Sequence, residues 1–137
     1  SNHGDTMAAF LVASILAVYQ GTPQTPKRVH LSVTGSASYD TNGSTLDLSS
    51  ANTDFVALDP MAQFTRVDGV SVIGVNPHGS DKYVAAYVRA ASGAPATGKL
   101  KVRDLTSVTI GARGDVGEVS STADLSGTTF FVEVIGT

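Results

Sequence analysis

The stretch Arg28-Val29-His30-Leu31-Ser32-Val33-Thr34 alternates strictly between apolar and polar side chains. In an extended chain Val29, Leu31 and Val33 share one side, and the residues between them share the other. A period of two is typical of a β-strand with one face in a core and one face in water. The stretch therefore predicts a half-buried strand, and similar patterns recur along much of the chain.

Further strand patterns follow at intervals of about ten residues, the spacing typical of sandwiches and barrels. Lys99–Asp104 alternates cleanly, with Leu100 and Val102 expected inward. Phe64–Val75 is rich in β-branched residues, and its alternation breaks at Asp68-Gly69, which predicts a tight turn or bulge. The other expected strands are Thr45–Ser49, Lys82–Ala91, Val108–Ile110 and Thr128–Ile135.

Two connections between these strands have local signals of their own. Asp40-Thr41-Asn42-Gly43 predicts a turn, because Asn and Gly tolerate a positive φ. Ser50–Gln63 predicts a loop with a helical turn, for which Ser50 or Asn52 could be the cap and which Pro60 limits.

The longest apolar run is Phe10–Tyr19, and its spacing fits either a helix or a strand. A strand is favoured because the later segments have β patterns. The run holds ten residues, against about 20 for a membrane-spanning helix. We therefore expect no membrane partner.

The length of 137 residues favours one domain. Residues 1–6 precede Met7 and are interpreted as a cloning or processing remnant. Residues 7–27 are interpreted as an N-terminal arm or first strand followed by a proline-containing connector, and residues 28–137 as a single β domain. The predicted class is all-β: an antiparallel β-sandwich or barrel of about eight short strands, with an N-terminal arm and little helix.

Composition narrows the possible functions. Nine Lys and Arg residues against twelve Asp and Glu give a net charge of -3, which argues against a nucleic-acid partner. Charged residues make up 15% of the chain, so few side chains can perform acid–base chemistry. The absence of cysteine excludes thiol nucleophiles and thiolate metal sites. A non-enzymatic protein without a cofactor is therefore expected.

Residues that could carry chemistry have simpler interpretations. The three histidines, His3, His30 and His78, lack the close spacing of a metal site. Asp40–Gly43 and Asp115–Glu118 have too few acidic residues for a calcium loop and are interpreted as turns. Arg113-Gly114-Asp115 matches an adhesion tripeptide, but a loop tip or subunit contact is favoured. No catalytic, cofactor-binding or metal-ligating residue is predicted.

The run Val84-Ala85-Ala86-Tyr87-Val88 carries apolar side chains on both faces of a strand. Such a strand is expected to be covered on both sides, inside a sandwich or at a subunit interface. Val84, Ala86 and Val88 are the candidate oligomer interface.

Several turn-plus-strand motifs together resemble small virion structural proteins of tailed bacteriophages, of the capsid decoration or cement type. The motifs are Gly35–Ser49, Val70–Val75, Tyr87–Arg89, Ala94–Val102 and Ala123–Phe130. The resemblance implies a β-rich fold, self-association as a homotrimer, the major capsid protein as partner, and a place on the capsid surface of the virion. It implies stabilisation of the shell and transfers no catalytic residues.

Two other functions remain open at this point. A carbohydrate-binding or adhesion β-sandwich module would need exposed aromatic residues, which Tyr19, Tyr39, Tyr83 and Tyr87 would have to provide. A small all-β hydrolase or isomerase is the third possibility, although no serine has a sequence context that would activate it.

Overall fold

A computed structural model describes residues 9–76, 83–104, 117–119 and 122–137. Seven strands and one short α-helix lie within these ranges, with 3-10 turns at Pro60–Ala62 and Ala91–Gly93. The strands and helix are β1 (Leu11–Tyr19), β2 (Lys27–Thr34), β3 (Ser44–Thr45), α1 (Thr53–Leu58), β4 (Val67–Asn76), β5 (Tyr83–Val88), β6 (Lys99–Asp104) and β7 (Thr129–Gly136).

The strands form two antiparallel sheets. The large sheet has the order β1-β2-β7-β4, and the small sheet has the order β3-β6-β5. The predicted all-β sandwich class is confirmed. Within the described part of the chain no helix is long and apolar enough to span a membrane.

The core lies between the inner faces of the two sheets. Val29, Leu31 and Val33 of β2 are fully buried, as their alternation predicts. Leu100 and Val102 of β6 meet the same core from the small sheet. Each such side chain stabilises the fold by about 1.5–3 kcal/mol relative to exposure. The polar residues between them therefore lie on the outer faces.

The Phe10–Tyr19 run takes the first-strand alternative, because β1 pairs antiparallel with β2. Its register shifts between Val12 and Ser14 and again between Ile15 and Ala17. Each bulge inserts one extra residue, so Val12, Ile15 and Val18 contact the core at a spacing of three. The helix-like spacing in the sequence is therefore the spacing of a twice-bulged strand.

Three other local predictions from the sequence are confirmed. The turn at residues 40–43 is confirmed, with Asn42 and Gly43 at φ values of 73° and 116°. The bulge predicted at Asp68-Gly69 is confirmed by the shifted β4–β7 register. The helical turn expected in Ser50–Gln63 is α1, and Asn52 is its N-cap.

Two strand predictions end differently. The strand expected at Thr45–Ser49 is wrong in its extent, because pairing with β6 stops after Ser44–Thr45. Leu46 and Leu48 instead donate backbone hydrogen bonds to the Gly98 and Pro95 carbonyls, outside any ladder. The strand expected at Val108–Ile110, like the interpretation of residues 1–6, falls outside the described residues.

Candidate interaction surface

The candidate interface residues lie on one face of β5, an outermost strand of the small sheet. Tyr83, Ala85 and Tyr87 pack toward the core. Val84 and Val88 point outward, with 46% and 44% of their surface exposed, and Ala86 between them is exposed too. In a single chain, one face of the strand is therefore covered and the other is open.

A row of basic residues runs beside this apolar row. Val84, Ala86 and Val88 pair across the β5–β6 ladder with Arg103, Lys101 and Lys99 respectively. Directly opposed residues of an antiparallel pair project to the same face. The outer face of the small sheet therefore presents an apolar row along its edge and a basic row one strand further in.

A groove of about 310 Å³ lies between β5 and β4, which are edge strands of the two sheets. Ile73 of β4 lines it together with Val84, and 61% of the Ile73 surface is exposed. Ile73 stands at the second irregularity of the β4–β7 register, between Val72 and Gly74. The exposed apolar surface therefore extends from β5 toward the neighbouring edge of the large sheet.

The outer edge of β5 differs from the other sheet edges in the described structure. β3 has two residues, and β1 and β4 each contain two register irregularities. Short strands and bulges are the usual devices that prevent unwanted pairing at an edge. β5 pairs with β6 in unbroken register over six residues and contains neither charge nor proline.

The backbone of β5 has a definite orientation, which can be deduced from β6. The Val102 amide donates to Tyr39 Oη at 3.0 Å, and the Val102 carbonyl accepts from the Val119 amide at 3.0 Å. Both groups of Val102 therefore point away from β5. Because orientation alternates along a strand, Lys101 points toward β5, and it bonds with its partner Ala86. The amides and carbonyls of Ala85 and Tyr87 consequently face the outer edge.

A second surface feature lies on the outer face of the large sheet. His30 Nε2 and Glu133 Oε2 are 2.8 Å apart, and the Tyr19 ring meets the His30 ring edge-on at a centroid distance of 5.5 Å. His30 is therefore a paired surface residue, as its place on the polar face predicts. The described residues contain no group of three potential metal ligands. His3, His78 and Arg113-Gly114-Asp115 lie outside them.

The tyrosines that a sugar-binding surface would need differ in how far they are buried. Tyr39 is fully buried, and its hydroxyl donates to Glu118 Oε2 at 2.6 Å. Burial and then this hydrogen bond raise the pKa of Tyr39. Burial also raises the pKa of Tyr87, whose buried hydroxyl has no hydrogen-bond partner among the described residues. Among the described tyrosines, only Tyr19 is exposed, with 48% of its surface accessible.

A cavity of about 580 Å³ lies beside Lys27. The Lys27 ammonium donates to the Gln63 carbonyl and lies 4.9 Å from the centre of the Phe64 ring. Burial lowers the pKa of Lys27. Most of the other residues that line the cavity are neutral, and several are threonines. Lys27 therefore stabilises the wall of the cavity through its contacts with Gln63 and Phe64.

No protein-family model matches the chain, and neither the curated proteins nor the solved structures include a significant match to it. The function is therefore inferred from the surfaces described above.

Proposed function

We propose that the chain is a non-enzymatic virion structural protein that self-associates and binds the outer surface of a phage capsid, stabilising the shell. The observation that carries the self-association is the exposed apolar row Val84, Ala86 and Val88 on an edge strand that pairs with no described strand other than β6. The major capsid protein as partner comes from the sequence resemblance.

The size of the apolar row suggests a contact multiplied over several subunits. Full burial of a valine side chain is worth about 1.5–3 kcal/mol. Because Val84 and Val88 are a little under half exposed in one chain, covering each adds about 1 kcal/mol per copy. Backbone pairing or repeated contacts must supply the rest. Attachment of an oligomer to a repeating shell gains avidity, because later contacts become intramolecular.

The resemblance favours three copies. A homotrimer placed over equivalent capsid subunits would engage several sites at once. The exposed row fits self-association, whatever the number of copies, because it is uncharged and would join copies without bringing like charges together.

The test compares Val84→Asp and Val88→Asp with a matched control, Leu16→Asp. Leu16 is also an apolar residue on an outer strand, with 55% of its surface exposed. We expect the wild type and the control to be oligomers by light scattering. The two β5 variants should be monomers, because desolvating a carboxylate at the contact costs more free energy than its pairing with the facing Arg103 or Lys99 returns.

The same four proteins are then mixed with capsids that lack the protein, prepared from the phage whose genome encodes it, and sedimented. Wild type and Leu16→Asp should sediment with the shells, and the monomeric variants should stay in the supernatant. A wild type of 14.0 kDa across micromolar concentrations would refute self-association. A monomeric variant that decorates shells at wild-type occupancy would refute the role of the oligomer in attachment.

A further inference from the structure

We infer that the outer edge of β5 pairs antiparallel with β5 of a second copy, so that two small sheets become one continuous six-stranded sheet. This inference rests on the self-association in the proposed function and specifies its geometry. It departs from the three copies that the resemblance favours, because a two-fold contact closes with two copies.

The first argument is the contrast between edges. An unpaired strand edge is a template for another strand, and folded proteins usually blunt it. The other described sheet edges are blunted by bulges or by extreme shortness, whereas β5 pairs with β6 without a bulge and is uncharged and free of proline. Among the described strands, β5 alone has an edge without such a device, and this is explained if β5 has a partner.

The second argument is the direction of the backbone groups. The amides and carbonyls of Ala85 and Tyr87 face the outer edge, since those of Ala86 are directed at β6. In an antiparallel pair, two opposed residues with outward-facing groups exchange two hydrogen bonds. If Ala85 lies opposite Tyr87 of the second copy, symmetry also places Tyr87 opposite Ala85 of that copy. The two pairs together therefore give four hydrogen bonds.

The third argument is self-complementarity. The same register sets Val84 against Val88 of the second copy and Ala86 against Ala86. These are non-hydrogen-bonded pairs, in which opposed Cα atoms are about 4.5 Å apart and the side chains approach closely. A shift of one residue would place outward side chains opposite core-facing ones. A shift of two would leave either Val88 or Val84, depending on its direction, opposite no residue of β5.

The register makes a distinctive cross-linking prediction. The chain contains no cysteine, so Ala86→Cys introduces a single thiol per chain. The two-fold axis places that thiol opposite the same thiol of the second copy. A Cα separation of about 4.5 Å is within the range for a disulfide, about 4.4–6.8 Å. On mild oxidation, we expect most Ala86→Cys protein to run at twice the 14.0 kDa mass of one chain.

Val84→Cys and Val88→Cys are the matched controls, because both sit on the same exposed row. Each alone should cross-link at least fivefold less than Ala86→Cys, since neither residue opposes itself. An equimolar mixture of the two should cross-link efficiently, because Val84 opposes Val88.

Light scattering of the untreated wild type completes the test, with a mass of two chains expected. A mass of three chains, or equal cross-linking of the three single variants, would overturn the β5 pairing while leaving capsid attachment intact. Failure of a correctly cross-linked dimer to sediment with capsids would instead refute the proposed function and leave the pairing standing.

Discussion

Tyr39 connects three distant stretches of the chain. Its hydroxyl donates to Glu118 and accepts from the Val102 amide, and its backbone bonds with Thr122 and Ala123. Replacing Tyr39 with Phe leaves the Val102 amide without its hydroxyl acceptor in the core. We expect a loss of about 1–3 kcal/mol in the free energy of unfolding.

Urea unfolding measures this loss, with Tyr19→Phe as the control on an exposed ring. That control should change stability by less than about 0.5 kcal/mol. Equal stability of Tyr39→Phe and wild type would contradict the hydroxyl's role.

The raised pKa of Tyr39 gives a second prediction at the residue scale. The unfolded chain releases the phenol proton near pH 10, while the folded chain still holds it. Folded protein then binds more protons than unfolded protein, so stability falls as pH rises above about 10, by up to about 1.4 kcal/mol per pH unit.

Unfolding measured from about pH 9 to 11 should show this fall in the wild type and a smaller one in Tyr39→Phe. Parallel curves for the two proteins would rule out Tyr39 as the source.

The burial of Tyr39 could not be predicted from the sequence. Its hydroxyl partners, Glu118 and Val102, are 79 and 63 residues away. Local patterns do not report such distant contacts, so the sequence alone also allows Tyr39 a place on a sugar-binding surface. The alternation of Val29, Leu31 and Val33 is local and predicted their burial correctly.

Among the elements, α1 begins at a polar N-cap, Asn52, from which a change in stability can be predicted. Asn52 accepts from the Phe55 amide at 3.3 Å, and its side-chain amide donates to the Asp47 carbonyl at 2.8 Å. Asn52→Ala removes both bonds, and an N-cap loss typically costs about 1 kcal/mol. Thermal unfolding should show a Tm lower by about 3–5 °C.

Asn52→Asp is the informative comparison, because it keeps the acceptor and loses the donor. Its Tm should lie between those of wild type and Asn52→Ala. A Tm at or below that of Asn52→Ala would mean that the cap acceptor contributes little.

β5 and β1 show where prediction of elements succeeds and fails. The apolar run of β5 indicated a strand with two apolar faces, and the structure shows which face is open. For β1, the two bulges disguised the strand period. A bulge depends on the partner strand, so a single run of sequence does not determine it.

For the whole molecule, the proposed contact predicts a particular response to salt. The row Val84, Ala86 and Val88 is uncharged, so screening should not weaken it, whereas the neighbouring Lys99 and Lys101 would be screened. The Debye length falls from about 10 Å at 0.1 M to 3 Å at 1 M. We expect the oligomer mass and the occupancy on shells to survive this change.

Light scattering and co-sedimentation across that salt range measure both quantities. Dissociation of the oligomer would identify an ionic contact between copies. Release from shells with an intact oligomer would assign the basic row to the capsid contact.

The class of fold followed from alternation and turn spacing, but the order of strands did not. β7 lies between β2 and β4 in the large sheet. Nothing local in Thr129–Gly136 distinguishes a central strand from an outer one, since strand pairing is decided by the assembled core.

The central position of β7 has a consequence for synthesis on the ribosome. β2 must wait for a strand that begins about a hundred residues later, and β4 waits for the same strand. Until then both expose unpaired backbone edges, and such non-local pairing makes folding slow. We therefore expect chains that end before residue 129 to aggregate more than the full chain, as measured by their insoluble fraction.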